Sequence, residues 1–219
     1  MGRWDHRERG AVLSALTKVF ECKSLPSLRA AARSLIPALS WRHHGIGVLQ
    51  GYVHEGCGVE VRLHIWSPLL VKPGIDESGA VHDHRFDMVS HVLVGNLGHE
   101  EWFAQPDPDG DHETLTLTHA RAAAATKFHG PVTPTGERFR ASVNHMSIPE
   151  GYTYTFPAGC FHRSAVSVLA VTCVEKHGQR AEPARVLHPS SVPPIMAFGH
   201  DMDYALLSAL LNQAMEALA

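Results

Sequence analysis

Few features of the chain place it quickly, and each scarcity excludes something. The 219 residues hold 4 cysteines, and Cys22, Cys57, Cys160 and Cys173 form no CxxC pair. That spacing excludes a small disulfide-stapled fold and a paired-thiol metal site, and it reads as reduced thiols in the cytoplasm. No apolar run reaches the length of a membrane span. Met1 to Gly10 is charged throughout and the apolar residues after it are periodic, so neither a secretory signal nor membrane association is expected. His6, not Ser or Thr, follows Gly2 at the position that myristoylation needs. Charge is sparse and mixed, with 19% charged residues, Lys+Arg 19 against Asp+Glu 22 and a net charge of −3. No basic cluster offers itself to nucleic acid. There is no internal repeat and no low-complexity tract beyond Ala122 to Ala125. A hydrophobic fraction of 44% excludes a disordered chain.

Histidine is what the chain has in excess, 17 in all. Imidazole binds metals, shuttles protons or decorates a surface, so spacing must decide among these.

Two helices are predicted to open the chain, over residues 10–22 and 27–38, with Pro26 in the first turn of the second. Val59, Val61, Leu63 and Ile65 then alternate with Glu60, Arg62, His64 and Trp66, the period of a half-buried strand. Ile46 to Val53 reads as a neighbouring strand. Residues 68–80, rich in Pro and Gly, read as a loop. Residues 81–103 read as strands broken at Gly95-Asn96, followed by a solvated turn over 104–112. Further strands are predicted at 113–118, 143–148, 152–156 and 165–175. Residues 180–196, with four prolines, read as irregular, and Asp203 to Leu218 as a helix capped by Asp201 or Asp203. The expected fold is an all-β barrel or jelly roll with N- and C-terminal helical decoration, as a single domain over 1–219: helices to residue 44, the β core over 45–178, then an irregular segment and the last helix.

Two segments carry chemistry. In His82-Asp83-His84 the histidines share a face if the segment is extended, so both rings could meet one ion. About one HxH is expected by chance in a chain so rich in histidine, so the pair alone says little. The second segment is more specific. Gly151 is followed after five residues by Pro157-Ala158-Gly159-Cys160-Phe161-His162. Glycine and proline here make a strand entry and a tight return that aims His162 inward; an ordinary hairpin explains the Gly and Pro but not the place of the histidine.

The pattern G-x5-P-x-G-x2-H resembles the second motif of the cupin superfamily, and His82-x-His84 with Gly95 downstream resembles the first. The resemblance covers roughly residues 45–178. It implies a jelly-roll barrel with His82, His84 and His162 as metal ligands. Met88 stands where cupins usually place an acidic ligand, and Val166 where an asparagine is usual, so a neutral three-histidine face remains. Val81-His82-Asp83-His84, Gly95-Asn96-Leu97 and Phe161-His162-Arg163 are similar to the cysteine dioxygenase branch, which holds Fe(II) on three histidines and carries helices before the barrel. That branch places a Ser-His-Tyr relay on the next strand, but Ser167 to Glu175 holds no Tyr or His. Its carboxylate-clamping arginine also has no counterpart, since the run Gly47 to Val53 offers only Gln50. Other three-histidine cupins cleave diketones and hydroxylated aromatic acids with O2.

The resemblance therefore implies a mononuclear Fe(II), O2-dependent dioxygenase or oxygenase acting on a small anionic metabolite; Zn, Mn and Ni also suit imidazole. Two alternatives stay open, a cupin that binds a small ligand without turnover and a redox-neutral metal-dependent cupin such as an isomerase. Gln50, Arg62, His64 and Met88 are the candidate substrate-binding residues. Arg62, His64 and Trp66 share one strand face, which either lines the pocket or faces solvent. A second shell is expected to orient each ligand imidazole through its free N–H. Alternation turns His91 away from the ligands. His43 and His44 read as loop residues, Cys160 and Cys173 as small buried thiols, and Lys176 and His177 as a solvated strand end. Leu206, Leu210 and Leu211 form a stripe suited to packing on the barrel or to a homodimer interface.

Overall fold

A computed structural model describes residues 24–44, 46–56, 58–71, 81–117, 132–178, 180, 182–191 and 203–219. The predicted helix over 10–22, the residues Cys22 and Cys57, and Ala122 to Ala125 lie outside these. The chain enters through helix α1 (Leu25–Leu35), with Pro26 in its first turn and Leu28, Ala32 and Leu35 buried along one stripe. It leaves through helix α2 (Tyr204–Ala217). Asp203 caps α2, its Oδ1 accepting from Ala205 N at 2.9 Å and Leu206 N at 3.1 Å. No helix among the described residues is long and apolar enough to cross a membrane.

Between the helices run β1 (Trp41–His44), β2 (Ile46–Gly56), β3 (Val59–Val71), β4 (Asp87–Val94), β5 (Asn96–Pro106), β6 (His112–Leu117), β7 (Val132–Pro149), β8 (Thr153–Phe156), β9 (Phe161–Ala165), β10 (Ala170–His177) and β11 (Arg185–Pro189). They form two antiparallel sheets, one ordered β1-β2-β3-β10-β4-β8 and the other β11-β6-β7-β5-β9. The chain crosses between sheets from β4 to β5, from β7 to β8, from β8 to β9 and from β9 to β10. That repeated crossing makes an all-β jelly roll with helical decoration.

The larger sheet buries both faces. Val61, Leu63 and Ile65 of β3, with Leu49, Leu93, Val171 and Cys173, pack against Leu28, Leu35, Leu210, Leu211 and Ala214 of the helices. Arginines on α1 tie the two helices together, Arg29 Nη2 donating to Ala217 O at 2.7 Å and Arg33 Nε to Met215 O at 3.1 Å, which satisfies carbonyls left open at the end of α2. The opposite face of the sheet, carrying Arg62, His64 and Trp66, is turned to the interior. Trp66 is buried there, donating from Nε1 to Thr172 Oγ1 at 3.1 Å.

Several sequence expectations need correction. β3 runs on to Val71 through Pro68, where a loop was expected; its registered partners stop at Trp66 and resume at Val71, so Pro68 sits where no ladder donor is needed. His43 and His44 lie on β1 and not in a loop, and His43 is buried with Nε2 2.9 Å from Leu70 O. β7 is three times the length expected, because its mostly exposed residues carry no apolar period. The strand expected at 165–175 is two, β9 and β10. Within the proline-rich stretch read as irregular, Val186 and Leu187 hold β11 against β6, and Pro189 ends it.

Gly95 makes the turn from β4 to β5, with φ +81°. A Cβ there would stand 2.6 Å from Leu169 O. Gly95→Ala is therefore expected to destabilise the fold by about 2 kcal/mol or more, the left-handed backbone cost plus the clash. Urea unfolding measures it; a change within 0.5 kcal/mol would contradict the account of this turn.

Candidate metal centre

The two motif segments meet through the backbone. His82 N donates to His162 O at 3.0 Å and His162 N to His82 O at 2.9 Å, an isolated bridge rather than a regular strand. Asp83 points the opposite way from its neighbours and is buried. Its Oδ1 accepts from Arg185 N at 2.6 Å and its Oδ2 from Arg185 Nε at 2.8 Å. The return loop is pinned to the first segment by Gly159 N to His84 O, 2.9 Å, and Ala158 N to Asp87 Oδ1, 2.8 Å. The Pro-Ala-Gly turn, with Gly159 at φ +83°, is thus what delivers His162.

The outcome is a triangle of imidazoles. One ring nitrogen each of His82, His84 and His162 lies within 4.8 Å of the others, and among the described residues this is the one such group of His, Cys, Asp or Glu. Ring centroids are 4.7–4.9 Å apart. His82 Nε2 and His84 Nε2 are 3.0 Å apart. Two nitrogens bound at about 2.1 Å to one ion, at a right angle, are separated by about 3.0 Å, so this spacing fits a shared divalent cation. Burial, with the neighbouring imidazoles, holds the pKa of His84 and of His162 well below the ordinary value. Both rings are therefore neutral at pH 7, with lone pairs available to a metal.

The rings are oriented by packing as much as by polar partners. Phe86 lies 4.6 Å from His84, Phe156 lies 4.4 Å from His162, and His99 stacks on His162 at 5.5 Å. His84 Nδ1 has no hydrogen-bond partner, contrary to the expectation that a polar second shell orients each ligand. Behind His162 lies a buried polar group that sequence reasoning missed. His99 Nδ1 is 3.1 Å from Ser164 Oγ, and the Tyr154 ring lies 5.2 Å from that of His99, while burial raises the tyrosine's pKa to about 12. A serine, a histidine and a tyrosine thus do assemble beside a ligand, but from β9, β5 and β8.

The structure places the substrate-binding candidates as follows. Gln50 and His64 are cross-strand partners, and Arg62 Nη1 donates to Gln50 Oε1 at 3.0 Å. Both nitrogens of His64 are buried without a partner. Met88 packs with Phe156 and Val174, in contact with Phe86. His91 lies on the helix-side face, its Nδ1 2.7 Å from Thr153 Oγ1 and its Nε2 3.1 Å from Glu175 Oε1. Cys173 is buried and Cys160 half-buried. Lys176 is not a solvated end: its side chain is 13% exposed and its Nζ sits 3.2 Å from Glu60 Oε1. A groove of about 440 Å³ along β4 and β8, lined by Asp87, Met88, Thr155, Phe156 and His177 among others, includes none of the three imidazoles.

No protein-family model matches the chain, and no curated protein matches it. Among solved structures it is similar to an RmlC-like cupin from Shewanella frigidimarina, at 12% identity over 65% of this chain and 86% of that one, with a TM-score of 0.35. A DMSP lyase structure matches at 14% identity over 70% and 64%, TM-score 0.39. Hydroxypropylphosphonic acid epoxidase from S. wedmorenis matches at 8% identity over 59% of this chain and 50% of that one, TM-score 0.34.

The buried imidazoles predict how stability varies with pH. Burial lowers His44 to about 3, His99 to about 4, and His64, His84 and His162 well below 6.5. The unfolded chain takes up these protons near pH 6.5 and the folded chain does not, so stability is full above 6.5 and falls as pH drops below it. Each group costs up to about 1.4 kcal/mol per pH unit in that window. Melting of the metal-free protein should therefore drop steeply from pH 7 to 5, and a flat profile would contradict the burial.

Proposed function

We propose that the chain is a mononuclear non-haem iron oxygenase that joins O2 to a small anionic metabolite, with His82, His84 and His162 as its protein ligands. The observation that carries this reading is the convergence of three imidazoles, from segments some eighty residues apart in the chain, with no carboxylate in the group and with burial holding His84 and His162 neutral. Fe(II), when bound, supplies the Lewis acidity and the electrons for O2 chemistry, and an all-neutral ligand set leaves its full dipositive charge to attract an anionic chelating substrate.

The protein's own part is positional. His82, His84 and His162 would hold the ion, each through one ring nitrogen. Phe86 and Phe156 press on these rings and exclude water from them. Gln50, Arg62 and His64 face the same interior and present donors to an anion. Tyr154 keeps its proton at neutral pH and lies 5.2 Å, ring to ring, from His99, which stacks on His162. The motif segments resemble the cysteine dioxygenase branch, but the arginine and the relay strand of that branch have no counterpart in the sequence, which argues for a substrate other than cysteine.

The test starts from protein purified anaerobically and reconstituted with Fe(II). One metal per chain is expected, lost in His162→Ala and kept in His91→Ala. O2 uptake is then recorded across thiols, diketones and hydroxylated aromatic acids, and uptake with one class should vanish in His82→Ala. A fully loaded site that consumes no O2 with any of them would overturn the oxygenase and favour ligand binding or isomerisation.

A further inference from the structure

The interior wall of the larger sheet carries a charge imbalance that the ligand triangle does not use. Glu60 and Arg62 on β3 share a face with Lys176 on β10, since Lys176 stands opposite Glu60 and Val174 opposite Arg62. Glu60 Oε1 serves both cations, pairing with Arg62 Nε and, at 3.2 Å, with Lys176 Nζ. The Arg62, Glu60 and Lys176 side chains are 23%, 24% and 13% exposed, so solvent does little to offset the surplus cation. Beside them the imidazole of His64 is buried with neither nitrogen bonded. Among the described residues donors outnumber acceptors on this wall, and buried polar groups left so call for a partner.

The wall also lies close to the ligands. Lys176 Nζ is 4.2 Å from the centroid of the Phe86 ring, and that ring lies 4.6 Å from His84. The Phe86 ring thus touches both the ammonium and one of the three clustered imidazoles. Burial already lowers Lys176 to about 8, a cost that an incoming anion relieves.

We propose that Lys176, together with Arg62, forms a subsite for a carboxylate of the ligand, distinct from the group that meets the metal. The substrate is then a bifunctional acid, one end chelating and the other a carboxylate held on the neighbouring wall beside Lys176. This rests on the proposed function for the chelating end, whereas the carboxylate contact itself needs no metal. Lys176 and Arg62 act here by binding and orientation; no bond forms or breaks at them.

The experiment compares propionate with propionamide, alike in size and different in charge, by NMR titration of the metal-free protein at pH 7. Propionate should bind at least tenfold more tightly. The preference should fall to near parity in Lys176→Gln and survive in Lys176→Arg. Lys176→Gln leaves Glu60 paired with Arg62, so its melting temperature should be unchanged or higher, which separates loss of the subsite from loss of the fold. Equal binding of the two probes, or a preference that survives Lys176→Gln, would overturn the proposal. A protein that prefers propionate yet never consumes O2 would keep the subsite and lose the oxygenase. One that consumes O2 without that preference would do the reverse.

Discussion

The site depends on a single pair of backbone hydrogen bonds, between His82 and His162. Each is worth only about 1 kcal/mol, yet together they set the separation of two segments that share no strand. The register they impose is guarded from both sides. The buried Asp83 carboxylate holds the Arg185 guanidinium and backbone of β11, a charge-assisted contact stronger than a neutral one. Gly159 N and Ala158 N hold the return loop to His84 and Asp87. The residue between the two histidines is thus as necessary as they are: its outward anchor is what lets both neighbours point in.

A second constraint explains why the interior can be polar at all. A sheet with one strongly apolar face ordinarily turns it toward the opposing sheet. Here helices α1 and α2 cover that face of the larger sheet, and the buried apolar area is gained outside the barrel. The inner face still packs Val48, Trp66, Val92 and Ala170 against Leu97 and Ile148, but it has room also for Gln50, Glu60, Arg62, His64 and Lys176. The helices therefore do more than decorate. Without them, Val61, Leu63 and Ile65 would have no cover.

What the sequence made legible follows from the range of the interactions. The ligand segments were readable because glycine and proline at fixed offsets leave a local signature, and the strand period of β3 was readable because its two faces differ so sharply. The same contrast left open which face turned inward; the apolar face of β3 lies under helices, leaving Arg62 and His64 inward. Lys176 was taken for a solvated end because its neighbours in sequence are polar; its partner, Glu60, comes from a strand more than a hundred residues earlier. The Ser164, His99 and Tyr154 group lies on three separate strands, so no local pattern announces it. β7 and β11 were obscured by exposure and by proline, respectively.

Met88 joins the metal centre to the charged wall. The resemblance to cupins expects an acidic residue at this position, and in the sheet Met88 stands directly opposite Lys176. A carboxylate at 88 would lie beside the ammonium as well as near the ligands, and it would cancel the surplus charge on the wall. With methionine there, the three-histidine group has no carboxylate, and among the described residues the anion paired with Lys176 is the Glu60 oxygen that it shares with Arg62. The two oddities of the interior, a ligand face without an acid and a wall with one cation too many, are thus consequences of one side chain. Both raise the potential on this side of the interior, and on the proposed function both favour a ligand that brings its own negative charge.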